Sequence, residues 1–159
     1  MGTKNSTLVA NFEALPQVAN DAALLHGVVR VAQGTIALAS GDSDNDDVVM
    51  LAPIPSNAVV SQLFIGSDTL GGSCTFNVGI HTTAGVVKDE DVFATAVADA
   101  AAMADVRFEA ADINTAGQKM YELAGDSTDP GGYYYISATM AADGQTAGDM
   151  SFNIQYVVN

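Results

Sequence analysis

Cys74-Thr-Phe-Asn-Val-Gly-Ile-His81, then Thr82-Thr-Ala-Gly85, Val86-Val87, Lys88-Asp-Glu-Asp91 and Val92-Phe-Ala-Thr-Ala96, is the stretch on which the fold turns. Cys74, Phe76, Val78 and Ile80 alternate with Thr75, Asn77, Gly79 and His81, the period of two expected of a strand with one buried and one wetter face. This pattern makes Cys74 a small core residue and His81 a surface one. Thr82 to Gly85 turns the chain, and Val86-Val87 gives a short second strand. The three acids at 89–91 resemble the acidic first turn of a helix. Residues 89–104 therefore admit two readings. One is a helix capped by Asp89 with Phe93, Val97, Ala100 and Ala104 on one face, and the other is a strand plus loop.

Outward from this stretch the strand pattern recurs. Val28 to Val31, with Thr35 to Ala39 as continuation or partner, Val48 to Ala52 and Val59 to Ile65 precede it. Short candidates at Arg107 to Ala110 and Lys119 to Leu123 follow, then Tyr133 to Met140 and a final strand in which Phe152, Ile154, Tyr156 and Val158 alternate with polar neighbours. Pro53-Ile-Pro-Ser-Asn57 reads as an extended turn, because each proline fixes φ and removes a donor. The last two strands read as an antiparallel hairpin with a long loop through Asp143-Gly144. About eight closely spaced strands with at most one short helix predict an all-β fold, a jelly-roll-like antiparallel β-sandwich. Residues 1–26 read as an extended N-terminal arm, and residues 27–159 as the sandwich domain. In the arm, Leu8, Val9, Phe12, Leu15 and Val18 follow neither period, so they are candidate contacts to another surface; an ordinary first strand folded on the chain's own core is the alternative.

A chain of 159 residues fits one domain and buries roughly two thirds of its unfolded surface without staples. One cysteine excludes an intrachain disulfide. The balance of 19 acids against 5 Lys and Arg, a formal charge of −14, repels phosphate backbones and anionic headgroups, so neither nucleic acid nor membrane is an expected partner. There is no apolar h-region at the start and no run of about 18 apolar residues.

The chemical motifs are weak. Gly66-Ser-Asp-Thr-Leu-Gly-Gly-Ser73 has a P-loop's glycine spacing, but glycine stands where the lysine should be, and a strand follows. Asp42, Asp44 and Asp46 have the alternating acids of a calcium loop, yet Asp47 replaces the required glycine and Pro53 the terminal Glu, so they form at most an irregular calcium site. Cys74 and His81 fall on opposite faces of one strand and cannot pair locally, and His26 sits by the arm. No catalytic group and no cofactor is expected. Tyr133 and Tyr135 flank Tyr134 after a glycine turn. If Tyr134 is core, the other two are candidate aromatic contacts, to a sugar or a protein.

Val78-Gly-Ile-His-Thr-Thr-Ala-Gly-Val-Val-Lys-Asp-Glu-Asp-Val-Phe-Ala94, together with the segment from Arg107-Phe-Glu-Ala-Ala-Asp to Met120-Tyr-Glu-Leu-Ala-Gly125, resembles small virion proteins of tailed bacteriophages. The resemblance covers roughly residues 46–158 and carries no catalytic motif. It implies a jelly-roll decoration, or cement, protein that sits as a homotrimer on the capsid surface, binds the major capsid protein and stabilises the shell by bridging capsomers. Such a protein is made in the host cytoplasm. The alternative is a carbohydrate- or receptor-binding virion module of the head fibre, neck or tail.

Overall fold

The computed structural model describes residues 5–22, 24–25 and 27–158; His26 lies outside the described residues. The chain order is α1 (Thr7–Glu13), β1 (Val29–Leu38), β2 (Val48–Pro55), β3 (Ala58–Ser67), β4 (Thr75–Thr82), β5 (Val87–Ala98), β6 (Ala104–Asp105), a 3-10 turn at Ile113–Thr115, the single-turn helix α2 (Met120–Leu123), β7 (Tyr133–Ala142) and β8 (Gly148–Val158). The strands form two four-stranded antiparallel sheets, β1-β8-β3-β6 and β2-β7-β4-β5. Within them β1 pairs with β8, β2 with β7, β3 with β6 and β4 with β5. A chain whose first strand pairs with its last, its second with its last but one, and so inward is one long hairpin rolled into a sandwich, which is the jelly-roll topology.

The alternating apolar residues meet between the sheets. Leu63, Ile65, Met150 and Ile154 from one sheet and Ile54, Phe76, Val78, Ile80, Phe93, Ile136 and Met140 from the other are wholly buried or nearly so. That interior is the dominant stabilising term, because each such side chain gains about 1.5–3 kcal/mol on leaving water. Cys74 lies in it as expected, and desolvation, with Asp99 and Asp143 nearby, raises its thiol above the usual range.

Several expectations are corrected. Residues 87–98 are a strand, not a helix: Val87, Val92, Phe93, Thr95 and Val97 are β-formers, and pairing with β4 buries Phe93 and Ala94 completely. The acids at 89–91 belong to a large bulge, since the three residues of β4 from Val78 to Ile80 face the six from Asp89 to Ala94. Gly79 permits this, because a Cβ there would run into the carbonyl of Asp89 and the backbone of Glu90. The bulge folds over that face of β4, so His81 is buried and not a surface residue. Pro53 and Pro55 lie inside β2, which is tolerable because β2 is an edge strand; the turn is only Ser56-Asn57. Residues 107–110 are a turn segment and 120–123 a helical turn. The last two strands are not a hairpin: β7 and β8 lie in different sheets, joined by a crossing at 143–147. Residues 7–13 of the expected extended arm are helical, held by the Ser6 hydroxyl accepting the Val9 amide at 3.3 Å.

Candidate interaction surfaces

The arm is braced by its own polar groups and leaves its apolar ones outside. Asn11 donates to Asn20 Oδ1 at 2.8 Å, Asn20 to the carbonyl of Leu8 at 3.0 Å, and Asn5 to Glu13 at 2.9 Å. No residue of α1 is buried, Phe12 is 67% and Leu15 97% exposed, and Val9 and Val18 are also exposed, while Leu8 is half-buried. The arm meets the body at its far end, where Leu24 lies against Gly117 and Asp21 pairs with Lys119 at 3.9 Å. Folding on the chain's own core would have buried these apolar residues, so that alternative does not describe them.

The outer face of the β1-β8-β3-β6 sheet carries few charges. By strand parity it presents Val29, Val31, Gln33 and Thr35 of β1, Ser151, Asn153 and Gln155 of β8, and Gln62 and Phe64 of β3. Thr35 and Ser151 share a 2.8 Å hydrogen bond, and Asn153 donates to Gln33 at 2.9 Å. Across the three long strands the ionisable side chains other than Tyr156 are Arg30 and Asp149.

A second surface surrounds the tyrosine run. Tyr134 is core and its hydroxyl donates to Asp126, which also receives Lys88 Nζ at 2.7 Å. Lys88, then Tyr134, holds the Asp126 carboxyl below the usual range, while burial and that carboxylate push the Tyr134 phenol up to about 12. Tyr133 is exposed and Tyr135 half-buried; Tyr133 borders a shallow depression shared with Thr82, Lys88, Asp126 and Gly131.

Two groupings of the kind used in catalysis or metal binding have internal partners. His81 Nδ1 lies 2.8 Å from Ser137 Oγ, the spacing of a base and nucleophile, but both side chains are buried, at 3% and 0% exposure. Burial lowers the imidazole pKa against the opposing pull of Glu90, so the ring is neutral. In the acidic loop, Asp42 accepts the Ala39 amide at 2.9 Å and Asp47 the Asp44 amide at 3.0 Å. Asp46 adopts φ 70°, and among the described residues no three His, Cys, Asp or Glu side chains are grouped to hold a metal.

Arg107, which has no signature in the sequence, is the largest wholly buried side chain. Its Nε donates to the Val60 carbonyl at 3.0 Å and its Nη2 to the Thr115 carbonyl at 3.1 Å, and its guanidinium lies over Phe93 and Phe108 at 5.1 and 4.5 Å. It ties the 106–116 segment to β3 and belongs to the scaffold.

The fold is shared with a phage capsid chain. A chain of the cyanophage Pam1 capsid asymmetric unit is similar over 100% of both chains at 15% identity, with a TM-score of 0.55. Weaker similarities run to a chain of the capsid of Ralstonia phage GP4 (21% identity, 84% of this chain and 86% of that one, TM-score 0.48) and to one of the acid-stable capsid of Helicobacter pylori bacteriophage KHP30 (15%, 82% and 88%, 0.41). No protein-family model and no curated protein sequence matches.

Proposed function

We propose that this chain is a virion structural protein of a tailed phage that decorates the outer capsid surface, binds the major capsid protein and cements the shell by bridging capsomers as a homotrimer. The observation that carries the reading is the arm: a self-braced segment whose Phe12, Leu15 and Val18 bury nothing in their own chain is built to bury them in another. The fold shared with the Pam1 capsid chain supports it. A sheet face with few charges also suits association by area. The mechanism is mass action: a protein that binds only the assembled lattice stabilises that lattice by its binding free energy.

The test is to add purified chain to capsids assembled without it, then measure co-sedimentation and the temperature of shell disruption. Binding with a raised disruption temperature is expected, and both are lost when residues 1–18 are deleted. Capsids that neither retain the chain nor gain stability would end the proposal. A second reading, a glycan-binding virion module, is favoured by one observation, exposed Tyr133 beside Lys88 and Asp126 in a shallow depression. Glycan-array signal abolished by Tyr133→Ala would establish that reading in place of shell binding.

A further inference from the structure

A β-sandwich has four sheet edges, and each is a row of unpaired backbone donors and acceptors that invites another strand unless it is blunted. Three of the four are blunted here. The β2 edge contains Pro53 and Pro55. The β5 edge carries Lys88, Asp89, Glu90 and Asp91 and is interrupted by bulges. The β6 edge is two residues long.

The fourth, β1, has none of these devices. It runs ten residues without a proline, keeps an unbroken register against β8, and bears one charge, Arg30. Val29 and Val31 are about half exposed, and among the described residues β1 makes no backbone hydrogen bond outside its pairing with β8. The arm does not cover this edge. It leaves toward Val157 of β8 and then to Gly117 and Lys119, on the opposite side of the strand. Alongside the free edge runs a groove between β1 and β2 lined by Ile36, Leu38, Val48 and Met50, closed at one end by Asp42 and Asp47.

We propose that the free edge of β1 pairs antiparallel with β1 of a second copy, joining two sandwiches into one continuous eight-stranded sheet. Charge placement selects the occupant. A two-fold pairing that keeps both outer faces level puts Gln33 opposite Gln33 or Gly34 opposite Gly34 of the other copy. In either register Arg30 of one copy comes opposite Ile36 or Leu38 of the other, on the groove side, where Asp42 and Asp47 close the groove. The strand and the loop after it are thus complementary to a second copy, with the base at the start of β1 and the acids in the 39–47 loop beyond its end. A ten-residue antiparallel pair supplies about ten inter-strand hydrogen bonds. Apart from these end charges and Asp149, the β1 edge and the outer face of its sheet are the part of a −14 chain where two copies meet with least repulsion. The contact is two-fold, so it joins copies pairwise whether each stands alone or is one corner of a trimer.

The test is light scattering with size exclusion on the full chain, together with hydrogen exchange of β1 amides across a concentration series. An even-numbered assembly is expected, with β1 amides slowing as concentration rises. Arg30→Glu should halve the mass while leaving the thermal melt intact, and adding Asp42→Lys and Asp47→Lys to it should restore the mass. An assembly unaffected by Arg30→Glu, an odd-numbered one, or β1 exchange independent of concentration would overturn the self-pairing. So would β1 protection that appears only on adding capsids, which would assign the edge to a shell strand. The inference does not rest on the decoration reading, because a dimer that ignores capsids sinks only that reading.

Discussion

Replacing Arg107 by alanine tests whether a buried cation without a carboxylate partner holds the 106–116 segment to the sandwich. The guanidinium is wholly inside, and desolvation, only partly offset by Asp105, lowers its pKa to about 10, so it stays charged at neutral pH. Against that penalty stand two charge-assisted bonds to main-chain carbonyls, each worth about 1.5–3 kcal/mol, and two ring contacts worth about 0.5–1 kcal/mol apiece. Truncation removes these, strands the carbonyls of Val60 and Thr115 and leaves a cavity. The net loss is about 3 kcal/mol, because release from desolvation returns part of the gross sum. In a domain of this size that lowers the melting temperature by about 10 °C. Denaturant unfolding supplies the free energy, and hydrogen exchange supplies the locality: amides of 106–118 should exchange faster while β7 and β4 stay protected. A loss below about 1 kcal/mol, or exchange rising evenly over both sheets, would refute the assignment of Arg107 as the clasp.

His81 sets a pH dependence. Its folded pKa is depressed by burial, so the unfolded chain binds the proton more readily; stability is fully present above about pH 6.5 and falls as pH drops from there toward the folded value. Unfolding titrations of wild type and His81→Gln should diverge in that window, and identical slopes would contradict the buried neutral ring. Asp126→Asn should lower the Tyr134 phenol from about 12 but not to its free value, because burial is the larger cause, and ultraviolet titration of tyrosinate reads this directly. Gly79→Ala should cost at least about 3 kcal/mol, since the new Cβ meets backbone and not a flexible side chain; near wild-type unfolding would show that the β5 bulge yields easily. Deleting residues 1–18 should move the melting temperature by less than about 2 °C, because α1 buries no residue. A drop comparable to that of a core substitution would show that the arm belongs to the fold.

The sandwich was legible because its signal is local. Alternation at 74–80 and 152–158 reports one face of one strand, and the structure places those apolar residues in the core. What alternation cannot carry is which strands pair. β7 and β8 are neighbours in sequence, yet the 143–147 connection sends them to opposite sheets, and β1 finds β8 across the whole chain. The helix reading of 89–104 failed for a related reason. Phe93, Val97 and Ala100 do have helical spacing, but pairing with β4 across a bulge outweighs it, and the device permitting the bulge is Gly79, on a different strand. His81 was misplaced by the same bulge. Arg107 could not be found at all, because its partners are carbonyls and aromatic rings at 60, 93, 108 and 115, and neither a carbonyl nor a ring leaves a pattern of charge.

The acidity, which in the sequence suggests at most an irregular calcium site at Asp42, Asp44 and Asp46, has a nearer cause in the loops. This jelly roll turns its chain between sheets at every strand end but the β4–β5 turn, and at each turn backbone amides lose their ladder partners. Carboxylates take those amides repeatedly. Asp99 accepts Leu70 and Gly71, Asp105 accepts Leu63 and Arg107, Asp143 accepts Asn45, Glu109 accepts Thr95, and Asp68 accepts Asp149. Serine or asparagine would serve the same geometry without charge, but a carboxylate makes the stronger bond. The repulsion this creates is concentrated in the loops and the β5 edge, where it discourages contact, leaving the β1 edge and, apart from Asp149 and Asp105, the outer face of its sheet as the least charged ground. One choice of residue type at the turns thereby both closes the sandwich and selects the sides on which it can associate.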